Sequence, residues 1–326
     1  MISESAMTSE SARRDEPTTI EGAPRYSKGH LGALRRFAVA ITVLNVLGHL
    51  WLGFEQSWAQ PLVALATAYA MQLLLETLDA WAEGRRPRYA GGVVPLIDSL
   101  LAAHIAAMAL SMLLYYNDRL WVVAFAVSVA IASKYVLRVP VGSRMRHFLN
   151  PSNFAITVTL LTFPWVGLAM PWQFTGALDG WADWSLPVII FSLGSLLNLK
   201  YTKRYPLIVA WLVGFVLQAA IRSAFFDASL LAGLAPATGV AALLFTFYMI
   251  SDPATTPSRP GDQIVFGASV AAVYGVFMMA HVAFGLFYAL TLVSAARGVG
   301  LYAMTLAERR VAEPGPLAGV EPASLG

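Results

Sequence analysis

The sequence predicts an all-α, polytopic integral membrane protein with about ten transmembrane helices. Hydrophobic residues make up 57% of the 326-residue chain and charged residues make up 13%. The mean hydropathy is +0.62. A typical soluble domain is about 25% charged. A chain this apolar could not hide its surface in one water-soluble core, so a lipid bilayer is its expected partner.

Apolar stretches long enough to cross the bilayer recur along the chain. A transmembrane helix needs about 20 predominantly apolar residues. Stretches of roughly this length are predicted at 34–53, 61–82, 94–115, 120–138, 152–170, 185–199, 205–225, 231–250, 263–279 and 282–304. They form one transmembrane domain at 33–305, between a disordered tail at 1–32 and a flexible tail at 306–326.

The positions of the basic residues support this arrangement. Of 22 lysines and arginines, all but Arg119 and Arg222 fall in segments on one predicted face. Cytoplasmic loops carry such an excess of positive charge. The sequence therefore predicts a multi-pass protein of the plasma (inner) membrane, with both termini in the cytoplasm.

Several function classes are excluded or left without support. The chain has no cysteine, which rules out disulfides, thiolate metal sites and cysteine nucleophiles. It carries no Walker loop, no Rossmann glycine pattern and no His-Glu-x-x-His sequence. We therefore assign no catalytic residue and no metal ligand, and we expect no nucleic-acid partner.

The first motif with chemical potential begins the fifth predicted span. Asn150 is a plausible N-cap, Pro151 suits the first turn of a helix, and Asn153 lies one turn further on. One interpretation is a well-capped helix start. The other is a helix N-terminus that offers N–H groups to an anionic or carbonyl-bearing cofactor.

The second motif follows the eighth predicted span. Asp252 precedes Pro253, a pairing that disfavours helix and should end the span there. Thr255 and Thr256 carry hydroxyls that could cap the backbone or bind phosphate. A rigid two-proline turn and a binding loop are the two interpretations.

Ionisable residues within the spans are few. Gln72, Glu76 and Asp79 share one face of the second predicted helix, close to Arg85 at its inner end. They suit either a functional site or a salt-bridge cluster at the membrane surface. The histidines are scattered, and we expect them to be packed and hydrogen-bonded rather than bound to metal.

Four motifs in this order resemble the NqrB/RnfD family of membrane subunits. They are Phe148–Pro151, Tyr205–Leu207, Ile250–Thr256 and Gln263–Ala268, and the likeness covers roughly residues 90–300. The Asn-Pro-Ser-Asn and Asp-Pro-x-Thr-Thr-Pro variants are most similar to the RnfD-like branch of enediyne antibiotic gene clusters, called UnbU.

The resemblance implies ten helices and electron transport coupled to ion movement across the membrane. Such folds often contain two inverted halves, and ten spans divide into five and five. Asn150 and Asn153 would hydrogen-bond a flavin ring, and Thr255 and Thr256 would bind phosphate or ribityl groups. The flavin (FMN or riboflavin) or a quinone would be non-covalent, because Leu178 stands where the family's flavin-accepting threonine is expected.

Electrons would have to come from partner proteins, or the partners would be biosynthetic enzymes. Two alternatives use the same scaffold without redox chemistry. One is a permease or exporter, and the other is a membrane scaffold that assembles other enzymes.

Overall fold

The structure is a computed structural model that describes residues 28–141 and 144–312. Residues 1–27 and 313–326, which make up most of the two predicted tails, lie outside the described residues. The helices are α1 Lys28–Leu47, α2 Ala59–Ala82, α3 Val93–Leu113, α4 Leu120–Val136, α5 Pro151–Thr162, α6 Ser185–Leu196, α7 Tyr205–Phe225, α8 Leu230–Leu234, α9 Val240–Leu244, α10 Pro260–Met279 and α11 Gly285–Ala312.

Irregular helical turns extend or interrupt these helices. Wide π-type turns continue α1, α6 and α9 at Gly48–Leu52, Leu197–Thr202 and Phe245–Met249. Short 3₁₀ turns lie at Pro171–Phe174, Gly180–Trp184 and Ala235–Thr238. The sheet content is two small antiparallel pairs, in which β1 Leu114–Tyr115 pairs with β4 Gly167–Leu168 and β2 Arg138–Val141 pairs with β3 Arg144–His147.

The protein is a multi-pass membrane protein, but its spanning helices number fewer than the ten predicted. Within the described residues, seven helices are long and apolar enough to cross a membrane. They are Leu31–Leu52, Ala59–Ala82, Val93–Leu113, Gly180–Thr202, Tyr205–Phe225, Pro260–Met279 and Gly285–Glu308. An eighth span is possible at Leu230–Met249, where two short helices are bent by 70°.

The two remaining predicted spans are short helices inside the bundle. Helix α4 has 17 residues and α5 has 12, which at 1.5 Å per residue gives lengths of about 26 Å and 18 Å. Most of the α5 side chains are buried or half-buried. Because irregular backbone is tolerated at membrane depth where protein covers it, α5 can stop at Thr162 and the chain can continue as a loop.

Side-chain contacts divide the loops between two ends of the bundle. At one end, Arg35 at the start of α1 pairs with Asp98 at the start of α3, and Arg138 after α4 pairs with Asp79 near the end of α2. Arg297 of α11 donates to the carbonyl of Thr255 at this same end. We call this the basic end, because the predicted inner loops meet here.

The opposite end is held by neutral contacts. Gln56 donates to Gln173 over 2.8 Å, and Gln60 donates to the carbonyl of Asn117 over 2.8 Å. The β1–β4 pair joins the loop after α3 to the loop after α5. The loops that follow α1, α3 and α5 therefore meet at the end opposite to the basic end.

Small residues allow α7 and α10 to pack closely. Gly267, Ala271 and Gly275 recur every four residues on the α10 face toward α7. A Cβ atom added at Gly267 would lie 2.5 Å from the carbonyl oxygen of Leu207, so only glycine fits. Small residues at this spacing are typical of helix contacts within membranes.

Candidate functional site

A cavity of about 240 Å³ lies at the basic end, among α1, α3, α4 and the segments that begin α5 and end α6 and α9. Its walls are mostly apolar side chains of α1 and α3. Its floor is polar and is formed by Lys134, His147, Asn150, Ser152, Asn198, Thr202, Ser251 and Asp252. An apolar pocket with a few convergent polar groups is the usual form of a small-molecule site.

The two sequence motifs meet on this floor. Asn150 and Asp252 are 102 positions apart in the sequence, yet Nδ2 of Asn150 donates to Oδ2 of Asp252 over 3.1 Å. Pro151 and Pro253 also line the cavity. Four of the seven predicted site residues therefore line the same cavity. From the sequence, only the order of the motifs indicated that these residues belong to one site.

Asn150 is also the N-cap of α5, as the sequence predicts. Its Oδ1 accepts a hydrogen bond from the backbone N–H of Asn153 at 3.0 Å, and Pro151 occupies the first turn. Ser152 donates to the same oxygen over 3.0 Å. The capping interpretation is confirmed, and the cap leaves Nδ2 of Asn150 directed toward Asp252.

The remaining predicted residue of the first motif, Asn153, does not line the cavity. Asn153 is 1% exposed and points to α11, where Nδ2 donates to the carbonyl of Phe287 over 3.0 Å and to Oγ1 of Thr291 over 2.9 Å. Its Oδ1 is buried and has no hydrogen-bond partner among the described residues. Asn153 therefore ties α5 to α11 from a position one turn beyond the cavity floor.

Thr255 and Thr256 do not line the cavity either and are engaged within their own loop. The hydroxyl of Thr256 donates to the carbonyl of Asp252 over 2.6 Å and accepts from Nε of Arg204 over 3.0 Å. The hydroxyl of Thr255 lies 3.3 Å from Oδ2 of Asp252. Both threonines hold Asp252 in place, which matches the turn interpretation more closely than phosphate binding.

Two arginines fasten the Asp252 loop from outside. Arg204 donates to the carbonyl of Pro253 over 3.3 Å, and Arg297 donates to the carbonyl of Thr255 over 3.0 Å. Neither forms an ion pair with a carboxylate in the described parts of the chain. Burial lowers the pKa of Arg204 from its usual value.

Sequence reasoning assigned no binding role to two ionisable residues of the cavity floor, Lys134 and His147. Lys134 served only as a topology signal, yet it faces the cavity and donates to Oε1 of Gln72 over 3.2 Å. His147 is half-buried beside it. Burial, with Lys134, Arg138 and Arg146 nearby, lowers the pKa of His147 to about 4, against the opposing effect of Asp252. The imidazole is therefore neutral near pH 7.

A second polar cluster lies beside the cavity, around Glu76, which is fully buried. Arg85 bridges Glu76 and Asp79 at 2.5 Å each, and Arg138 holds the other oxygen of Asp79 at 2.8 Å. The backbone N–H of Arg88 also donates to Glu76, over 2.9 Å. The salt-bridge interpretation of these acidic residues is confirmed. The partners of Arg85 raise its pKa above the usual value although burial lowers it.

Two histidines within the helices, His49 and His104, are hydrogen-bonded. The ring of His104 lies 2.7 Å from Oγ1 of Thr42 and 2.7 Å from the hydroxyl of Tyr69. Nδ1 of His49 lies 2.9 Å from the carbonyl of Asn45. Across residues 28–141 and 144–312, no three His, Asp or Glu side chains converge as metal ligands.

The loop where the family would attach a covalent flavin lies at the opposite end. Gly176 and Ala177 line a smaller cavity of about 220 Å³ there, together with Gln173. Leu178 is half-buried and packs against the apolar core. The side chain at this position is therefore part of the core packing.

No protein-family model matches the chain, and no curated protein matches it in sequence. The likeness to the NqrB/RnfD family thus depends on the four motifs and on their order.

Proposed function

We propose that the protein is a membrane subunit for electron transport, related to the NqrB/RnfD family and to its enediyne-cluster branch. The cavity at the basic end would bind a quinone or a non-covalent flavin. The observation that carries this proposal is the contact between Asn150 and Asp252. Two motifs of the resemblance, distant in the sequence, supply polar groups to one cavity of apolar walls.

The size of the cavity favours a quinone headgroup over a flavin. An apolar cavity of about 150 Å³ in another protein accepts one benzene ring. At about 240 Å³, the present cavity suits one or two fused rings more closely than the three of a flavin. Asn150 has one amide hydrogen that Asp252 does not use and could donate it to a ring carbonyl, and the apolar walls would hold the ring. A bound quinone would supply the redox chemistry.

The basic end would face the cytoplasm of a plasma (inner) membrane. Arg35 near the start of α1 and Arg297 in the later part of α11 both contact this end, so the described chain begins and finishes toward one side. Basic loops are retained on the cytoplasmic side. Partner proteins would then deliver electrons to the cavity from the cytoplasm.

Transport without redox chemistry is a second candidate, and one feature favours it. The segment Leu230–Met249 is bent by 70° and continues as a π-type turn whose residues Phe247, Tyr248 and Met249 line the cavity. Discontinuous helices at a binding site are typical of secondary transporters. In that case the occupant of the cavity would be a transported molecule.

Cofactor content tests the redox proposal. We expect the protein, purified in mild detergent, to release quinone into organic solvent, identified by its ultraviolet difference spectrum on borohydride reduction. A yellow supernatant after acid precipitation would identify non-covalent flavin instead. Colour in the acid pellet would contradict the argument from Leu178. Neither compound, after growth with both supplied, would overturn the redox proposal and favour transport.

Three variants locate the site. Asn150→Ala and Asp252→Ala should each lose most of the bound compound, because each removes a polar group of the cavity floor. Asp118→Ala is the matched control, since Asp118 is an exposed carboxylate in the loop between α3 and α4 at the opposite end. Full retention in both cavity variants would contradict the assignment.

A further inference from the structure

Lys134 is a cation in an apolar setting that has no anionic partner in contact. It lies in the last turn of α4, lines the cavity and donates to the neutral amide of Gln72. Among the described residues, no carboxylate oxygen approaches its Nζ within 4.0 Å. An ammonium group in the membrane normally pairs with a carboxylate or marks a functional site.

The charged groups around Lys134 do not compensate it. They are the two arginines Arg88 and Arg138 and the two carboxylates Glu76 and Asp252. Glu76 is already bridged by Arg85 and is approached by Arg88 at 3.7 Å. Arg138 is paired with Asp79. These contacts balance one another, and the charges that remain are those of Lys134 and Asp252.

Asp252 does not serve as the missing anion, although it shares the cavity floor. Its Oδ1 accepts from the backbone N–H of Ala254 at 2.9 Å. Its Oδ2 accepts from Asn150 at 3.1 Å and from Thr255 at 3.3 Å. Both oxygens therefore accept hydrogen bonds within the loop, and neither lies within 4.0 Å of Nζ of Lys134.

We propose that the cavity binds an aromatic molecule that carries a single negative charge, and that this charge pairs with Lys134. This inference rests on the proposed function and narrows its redox compound to a quinone that carries one acidic group, because an unsubstituted quinone is neutral. The ammonium group has two hydrogens that Gln72 does not use, and a carboxylate or phenolate oxygen entering the cavity could accept them. The molecule would be anionic at one end and apolar elsewhere.

Aromatic side chains at the wall favour a planar ring. Phe37 of α1 and Tyr248 stack with a centroid distance of 4.6 Å and an interplanar angle of 14°, and both line the cavity. A flat molecule of one or two rings could lie against this pair while its charged group reaches the floor. The volume of about 240 Å³ sets the same size limit.

A matched pair of probes tests the role of charge. Naphthoate and naphthamide have the same rings, but only naphthoate is anionic near pH 7. Their affinities can be measured by calorimetry with the full chain in nanodiscs of zwitterionic lipid. Charge-assisted hydrogen bonds contribute about 1.5–3 kcal/mol, so naphthoate should bind about tenfold to hundredfold more tightly.

Substitution of the lysine should remove this preference. In Lys134→Met, the affinity for naphthoate should fall to about that for naphthamide in the same variant. Retained naphthamide binding shows that the variant is folded and that the cavity is intact. Lys200→Met is the control, because Lys200 is exposed at the same end of the bundle, and it should keep the full preference.

Three results would overturn the inference. They are equal affinities for the two probes in the parent protein, a preference that persists in Lys134→Met, and no binding of naphthoate at millimolar concentration. The proposed function fails separately. If quinone co-purifies with the protein but the two probes bind with equal affinity, only the role of Lys134 is contradicted. If the protein strongly prefers naphthoate but contains no redox compound, the anion site stands and the electron-transport proposal is contradicted.

Discussion

The basic end of the bundle contains two polar regions that solve the problem of buried charge differently. Around Glu76, each carboxylate is paired with an arginine, and Arg85 joins Glu76 to Asp79. Around the cavity floor, Lys134, Arg204 and Arg297 have no carboxylate in contact within the described chain. The charges of the first region are paired without a ligand, whereas the cations of the second region have no carboxylate in contact.

The difference separates a structural role from a binding role. A compensated cluster stabilises the ends of α2 and α4 and leaves no polar group for an incoming molecule. An uncompensated cation next to an apolar cavity has lost part of its hydration without gaining an anionic partner. The two regions should therefore respond in opposite ways when a charge is removed.

The largest effect is expected from Glu76→Gln. The substitution keeps the shape but removes the fully buried carboxylate from Arg85, which keeps only Asp79 and Glu83, and breaking a buried ion pair costs about 3–5 kcal/mol. Reversible unfolding in mixed micelles should report a loss of this size. Glu83→Gln is the control, because Glu83 pairs with Arg85 but is 51% exposed, and an exposed pair contributes about 0–1 kcal/mol. Equal losses in the two variants would remove the distinction between the clusters.

A pH effect should be traceable to His147 on the cavity floor. Its folded-state pKa of about 4 lies below the unfolded value of about 6.5. The unfolded chain therefore binds the proton more readily than the folded chain. Above pH 6.5, His147 is neutral in both states and the protein keeps its full stability. Stability should decline as the pH falls from 6.5 toward 4, by at most about 1.4 kcal/mol per pH unit.

The measurement is the free energy of unfolding across that pH range in the parent protein and in His147→Gln. The parent should show the steeper decline. An identical slope in the variant would show that His147 is not held neutral beside Lys134.

A smaller loss is expected at Asn150. Asn150→Ala removes the N-cap of α5, which costs about 1 kcal/mol. Asn150→Ser restores a capping oxygen but not the amide that donates to Asp252. Unfolding experiments should therefore show recovered stability in the serine variant, while quinone or flavin retention stays low. Recovery of both properties would assign Asn150 a purely structural role.

The smallest change, and one of opposite sign, is expected from Lys134→Met. Removing an uncompensated buried cation relieves a desolvation penalty, so stability should stay constant or rise by up to about 1 kcal/mol. Arg85→Met, on the compensated side, should be strongly destabilising. A loss in Lys134→Met as large as that in Arg85→Met would mean that Lys134 has a structural partner.

Sequence reasoning predicted the long lipid-facing helices well. The seventh predicted span at 205–225 coincides with α7, and the span at 61–82 lies within α2 Ala59–Ala82. Hydropathy identifies such helices because lipid surrounds them and their length must match the bilayer. The salt bridges of Glu76 could be predicted for a similar reason, since acidic and basic residues fall close together in the sequence.

The interior of the bundle was less predictable. The predicted span at 152–170 is an α-helix only to Thr162, and 231–250 is a bent pair. Protein rather than lipid covers most of α5 and of residues 240–250, so hydropathy does not fix the length of these helices. The β2–β3 pair was not predicted, because its residues are basic and look like an ordinary loop.

For the site, the cap at Asn150 followed from local chemistry, but the role of Lys134 did not. A lysine at the end of an apolar helix usually marks the membrane surface. Only its position beside Gln72 and the cavity distinguishes it. The one local signal is that α4 contains no acidic residue to pair with it.

The two-sided arrangement on which the site depends can be measured directly, because the chain has no native cysteine. Single cysteines would be introduced as Gly261→Cys at the basic end, where a side chain meets open space, and Trp181→Cys at the opposite end, where the side chain is 92% exposed. In intact cells, a membrane-impermeant maleimide should label only the cysteine at 181, and lysis should make the cysteine at 261 reactive. Labelling of both cysteines in intact cells would contradict a bundle whose basic end and cavity face the cytoplasm.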